Sequence, residues 1–232
     1  MSVSFLEKKA GSFSVVLIGD FSPSMFQPYW FKYYGIISDD EFNSIRRNEE
    51  KTVITNSFST FETENLCFRI EFKRFTIIAK KEPFELLLDV LKKFQETTSS
   101  LLIKKFGMNY SFHIDLENLQ NMNMFGDVIA PKKYWKSFFC DVDVNNRENG
   151  LTNISMVKKT EFGYINLIIE TSSYFKDTLY VTYNFHFDSQ SDDSFDFFDV
   201  VDLIDEKYNQ FMNYSDDTTK TIIKGVFDNE RK

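Results

Sequence analysis

The stretch Pro83 to Asp115, PFELLLDVLKKFQETTSSLLIKKFGMNYSFHID, reads as a helix running straight into a strand. Phe84, Leu87, Leu88, Leu91 and Phe94 recur at helical spacing and form one apolar stripe. Pro83 suits the first turn, where its missing N–H costs nothing. The run Thr97 to Ser100 stops the helix, because small hydroxyl residues compete with its backbone for hydrogen bonds. From Leu102 the period becomes two. Phe106, Met108, Tyr110, Phe112 and Ile114 share one face, and Asn109, Ser111, His113 and Asp115 the other. The seam lies near the middle of the chain, where one half closes and another opens.

Before the seam, Ser12 to Phe21 reads as a strand apolar on both faces. Pro28-Tyr29-Trp30-Phe31 starts a short aromatic helix ended by Gly35, and Ser38 to Glu41 caps a second one through Arg47. Three strands follow, Thr52 to Phe61, Leu66 to Lys73 and Phe75 to Lys80, with Leu66, Phe68, Ile70 and Phe72 expected inward. After the seam comes a polar loop of Asn and Met, then a second aromatic helix at Pro131 to Trp135 and a turn-rich loop, Asp141 to Gly150. Leu151 to Thr160, Tyr164 to Thr171 and Leu179 to Asp188 read as strands. A last long helix buries Phe198, Val201, Ile204, Tyr208 and Phe211, and a tail from Thr218 carries Ile222, Ile223, Val226 and Phe227.

Each half therefore spells strand, short aromatic helix, three strands, long helix. Trp30 and Trp135 fall in matching places. The reading is an α+β fold of two βαβββα repeats, residues 1–100 and 101–217, with a C-terminal tail, 218–232. Side by side the repeats would form one continuous curved antiparallel sheet with helices packed on one face. That arrangement resembles the duplicated TATA-box-binding-protein-like folds, a likeness of fold that implies no function.

Composition narrows the class. There are 27 phenylalanines against 8 glycines, which favours sheet under helices over tight helix bundles. The net charge of −8 disfavours nonspecific binding to a phosphate backbone. Cys67 and Cys140 lack a CxxC context and read as buried free thiols in a reducing compartment. No signal peptide or apolar run of membrane-spanning length is evident, so the expected location is cytoplasmic, without a membrane partner.

The sharpest local signal is a pair of similar strands that hold both histidines. Tyr110-Ser111-Phe112-His113-Ile114-Asp115 echoes Tyr183-Asn184-Phe185-His186-Phe187-Asp188. If the strands are neighbours, His113, Asp115, His186 and Asp188 would converge as metal ligands or acid–base groups of a hydrolase or nuclease. Polar residues facing outward from alternating strands are the plainer explanation. The run Asp188 to Asp205 is acidic and suits a solvated loop and a helix start. Arg69, Lys73 and Arg74, joined by Lys104 and Lys105, would be the positive stripe of a nucleic-acid-binding saddle. Tyr29, Trp30, Tyr33, Tyr134 and Trp135 would be anchors for a protein partner, since Trp and Tyr dominate interface hot spots. No Gly-rich phosphate loop, GxSxG or HExxH stands in the chain, and no cofactor is expected.

The ending Val200 to Phe211 with Asp216 to Ile223, the opening Phe13 to Trp30 and the strand Gly107 to Ile114 resemble a sporadically distributed bacterial family of uncharacterised proteins of roughly this size. Met108-Asn109-Tyr110-Ser111 stands where that family carries an Arg-Tyr-Ile-Asn-like run. The resemblance implies a role in a mobile-element or defence-associated system. The expected function is a non-enzymatic protein-binding module, of accessory or immunity type. The alternatives are the metal-dependent His/Asp enzyme and the nucleic-acid saddle.

Overall fold

The protein is described by a computed structural model over residues 8–98, 101–138, 140, 150–188 and 195–229. Its elements are, in chain order, β1 (Lys8–Gly19), α1 (Pro28–Tyr33), α2 (Asp39–Arg47), β2 (Val53–Ile54), β3 (Phe58–Glu62), β4 (Leu66–Glu71), β5 (Arg74–Ala79) and α3 (Glu85–Thr97). Then follow β6 (Leu102–Asp115), α4 (Leu119–Ile129), β7 (Asn153–Lys159), β8 (Gly163–Thr171), β9 (Thr178–Asp188), β10 (Phe195–Asp196) and α5 (Phe197–Asn229). Short 3-10 turns occupy Glu49–Lys51 and Lys132–Trp135.

Period-two patterning sends alternate side chains to opposite faces, and one antiparallel sheet results, in the order β2-β3-β4-β5-β1-β6-β9-β8-β7. β10 pairs with one end of β6 off that path. The centre is the long β1–β6 pair, in register at Ser14↔Asn109 and Val16↔Gly107. The fold is thus α+β. Among the described residues the helices pack against one face, where Phe13, Val15, Leu17, Phe106, Met108, Tyr110, Phe112, Val181, Tyr183 and Phe185 are buried. Phe94 of α3 joins the layers: its ring meets Phe75 of the sheet at 4.7 Å, Phe26 at 5.2 Å and Phe197 of α5 at 5.6 Å. On the other side of the seam, Phe211 of α5 stacks on Phe185 at 4.2 Å.

The helix at the seam stops as its sequence dictates. The hydroxyls of Thr97 and Thr98 both donate to the Phe94 carbonyl, and Thr98 is the C-cap. Several expectations need correction. The polar Asn- and Met-rich loop is helix α4. Asn118 caps it by accepting from Asn121 N–H, and Met122 and Phe125 are buried three residues apart. The second aromatic helix is only a 3-10 turn. The strand expected over Thr52 to Phe61 is interrupted between β2 and β3. Phe72 is exposed rather than inward, because it sits in the tight turn joining β4 to β5. Cys67 is buried, but Cys140 is exposed. The boundary expected at 217 falls inside α5, a single 33-residue helix about 50 Å long. Its buried stripe continues through small polar residues, Ser215 and Thr219, before Ile223, Val226 and Phe227. The expected loop Asp141 to Gly150 lies, but for Gly150, outside the described residues.

Candidate functional site

Helices cover one face of the sheet, so among the described residues the side chains of opposite parity line an open face. Cross-strand register sets their rows. One row runs Thr60, Arg69, Thr76, Val16, Gly107, His186, Tyr164 and Lys159 across β3, β4, β5, β1, β6, β9, β8 and β7. The next contains Ser14, Asn109, Asn184 and Asn166. Two sets of hydrogen bonds hold these amides and hydroxyls. Asn109 Nδ2 donates to Ser14 Oγ at 3.1 Å, Asn184 Nδ2 donates to Asn109 Oδ1, and Ser155 Oγ donates to Asn166 Oδ1 at 3.0 Å. Beside them Ser111 and Thr182 hydroxyls lie 3.1 Å apart. The middle of the open face is therefore neutral, polar and held in one arrangement by its own hydrogen bonds.

Two hollows flank this band. One, of about 420 Å³, lies over Gly107, whose missing side chain leaves the space, with Arg69 and Arg74 toward one side and His186 toward the other. The second, of about 400 Å³, lies at the far end of β6 and β9, lined by Ser12, His113, Glu170, Tyr174 and Tyr180.

The structure does not bring the two histidines together. β6 and β9 are neighbours, but they are antiparallel and centred on Tyr110↔Tyr183, so equal offsets run opposite ways. His113 faces Tyr180, and His186 faces Gly107. Six residues at ~3.4 Å each separate them, about 20 Å. His186 Nε2 donates to the Asp188 carboxylate at 3.1 Å, and its ring stacks on that of Tyr164 at 4.5 Å. Lys105 holds Asp188 at 2.7 Å, and this ion pair, with the His186 contact, keeps the carboxyl below the usual carboxylate range. Asp115 is held down likewise by Lys9, 2.5 Å away, and by the Glu117 N–H. No cluster of three or more His, Cys, Asp or Glu with metal-binding placement occurs among the described residues. The expected convergence of His113, Asp115, His186 and Asp188 is thus replaced by two separate ion-paired ends.

The basic residues also divide. Arg69 and Arg74 stand on β4 and β5. Lys73 pairs with Asp20, Lys105 with Asp188, and Lys104 is exposed. Neutral Val16, Gly107 and the asparagine row separate the two groups, so the expected stripe is broken among the described residues. Of the aromatic anchors, Tyr29, Tyr33, Tyr134 and Trp135 are exposed. Trp30 is half-buried, with its ring 4.9 Å from Phe26 and 5.7 Å from Phe94. Most of the acidic run between Asp188 and Phe195 lies outside the described residues, and Asp205 pairs with Lys92 at 2.8 Å.

Sequence reasoning missed the residues that shape this face: Ser14, Asn109, Asn166, Asn184, Glu170 and Tyr180. Their signal is parity, since each stands opposite the apolar positions of its strand. Which of them meet is a matter of register. Among the described residues no helix is long and apolar enough to cross a membrane. Comparison with protein-family models gives no match, and comparison with curated proteins gives none either.

Proposed function

We propose that this chain is a non-enzymatic protein-binding module that holds its partner against the open face of the sheet. The observation that carries the reading is the neutral row Ser14, Asn109, Asn184 and Asn166, in which hydrogen bonds link the first three and Ser155 holds Asn166, left uncovered by the helices. Such a row offers amide and hydroxyl groups to the polar groups of a protein, and its own bonds lower the ordering cost of binding. Its neutrality and the net charge of −8 suit a protein better than a polyanion.

The same reading takes the architecture as two βαβββα halves. β1 and β6 meet at the centre, β5-β4-β3 extend one way and β9-β8-β7 the other, and α3 and α5 follow the two sets. An accessory or immunity-type role in a bacterial defence or mobile-element system fits a chain with a docking face and dispersed histidines. The free thiols of Cys67 and Cys140 fit a cytoplasmic location.

Site-specific photo-cross-linking in cells that make the protein tests the proposal. A benzophenone side chain at Tyr164, on the open face, is expected to give a discrete protein adduct, and one at Gln210, on the exposed side of α5, none. Equal adducts from both positions, or none from Tyr164, would refute it.

A further inference from the structure

The hollow at the end of β6 and β9 is built around a buried histidine. His113 is 8% exposed, and its Nδ1 has no hydrogen-bond partner among the described residues. Aromatic rings surround it: Tyr180 at 4.7 Å, Phe175 edge-on at 4.9 Å and Tyr174 at 6.3 Å. The loop that supplies two of these rings is pinned. Ser172 Oγ accepts from the N–H of Tyr174 and of Phe175, and the Asp177 carbonyl accepts from Leu116 N–H. His113, Tyr180 and Glu170 are successive cross-strand neighbours on β6, β9 and β8, so His113 and Glu170 stand two strand spacings, about 10 Å, apart with Tyr180 between.

Charge decides what this hollow accepts. Lys9 is neutralised by Asp115, and Lys176 lies 3.9 Å from Asp177. Glu170 borders the hollow half-buried and has no ion pair among the described residues. Burial holds His113 below its ordinary pKa, so its ring is neutral and repels no cation. The neutral imidazole brings no positive charge to the hollow and adds a ring face to its wall. A half-buried carboxylate is relieved by a cation, and tyrosine faces attract one. An anion would meet only Glu170 and uncharged groups. Serine hydroxyls at Ser12, Ser111 and Ser173 complete the lining.

We infer that this hollow receives a basic side chain, a lysine ammonium or arginine guanidinium, presented by the protein partner and held between Glu170, the His113 ring and the faces of Tyr174 and Tyr180. This rests on the protein-binding reading and names the chemistry its partner must bring. The cation's N–H groups would donate to the Glu170 carboxylate, with the His113 ring and the tyrosine faces packed around its charge.

The chain has only two histidines, which makes the test direct. Imidazole resonances are followed by NMR while Nα-acetyl-lysine amide or Nα-acetyl-arginine amide is added, with Nα-acetyl-norleucine amide and Nα-acetyl-glutamate amide as uncharged and anionic controls. A saturable shift of His113 with at least one cationic probe is expected, with His186 unmoved and neither control acting. Glu170→Gln is expected to weaken that binding about tenfold, the scale of one charge-assisted hydrogen bond. Unchanged His186 resonances report that the variant is folded. No saturable shift with either cation, an equal shift with norleucine amide, or full binding by Glu170→Gln overturns the inference. If the titration fails while cross-linking from Tyr164 still captures a protein, the cation site falls and the docking face stands. If cross-linking fails as well, both fall.

Discussion

Replacing Ile223 with alanine removes a side chain that is 1% exposed from the last turns of α5. Three carbons leave the interior, at ~0.8 kcal/mol each for transfer alone, and a cavity term raises the total to about 3 kcal/mol. The residue lies four positions beyond Thr219, whose hydroxyl is 2.9 Å from that of Tyr183 on β9, so the site is anchored to the sheet on its helix side. Relaxation that closes the cavity is correspondingly limited. Urea unfolding followed by far-UV circular dichroism measures the loss. With m of about 3 kcal/mol/M for a chain this long, the midpoint is expected to fall by about 1 M. Lys224→Ala, one residue along and exposed, is expected to stay within about 0.5 kcal/mol of the parent. An unchanged midpoint for Ile223→Ala would refute the packing of this segment and restore the picture of a tail beginning at Thr218.

Other consequences follow from single sites. The His113 pKa is lowered by burial, so below about pH 6.5 the unfolded chain takes up a proton that the folded chain resists. Stability is expected to fall with pH from the unfolded value down to the lowered folded one, and His113→Gln should flatten that part of a plot of unfolding midpoint against pH. If the variant keeps the parent's slope there, another group titrates. Gly163 has φ +148, and a Cβ there would stand 2.2 Å from the His186 carbonyl oxygen, so Gly163→Ala should cost more than about 3 kcal/mol by the same unfolding measurement. Asn109→Leu removes the acceptor of the half-buried Asn184 amide and should cost about 0.5–1.5 kcal/mol, the net worth of one hydrogen bond that water can partly replace. A thiol reagent should label Cys140 quickly and Cys67, buried and with its thiol pKa pushed up, only on unfolding; fast labelling of both would contradict the burial of β4.

Long periodic segments were legible. β6 keeps the bounds its alternation predicts, and Phe84, Leu87, Leu88, Leu91 and Phe94 are all buried. α4 was missed because asparagines carry weak helix propensity, although Met122 and Phe125 kept helical spacing under an Asn118 cap. The end of α5 was missed because Ser215 and Thr219 interrupt the apolar stripe with hydroxyls. Those hydroxyls are satisfied internally, Ser215 donating to the Phe211 carbonyl and Thr219 meeting Tyr183. The His and Asp residues were legible as outward-facing, and the pairing of their strands stood as a condition that the structure meets. Their separation was not, because the sense of pairing reverses equal motifs about Tyr110 and Tyr183. The row of Ser14, Asn109, Asn184 and Asn166 draws on four strands, and only register assembles it.

The most direct measurement is partner capture by two matched variants. Asn166→Arg places a charge in the middle of the open face, and Gln210→Arg places the same charge on the exposed side of α5. With equal unfolding midpoints for both, the adduct partner identified from Tyr164 should be lost by Asn166→Arg and retained by Gln210→Arg. Retention by Asn166→Arg, or loss by Gln210→Arg alone, would contradict the open face as the docking surface.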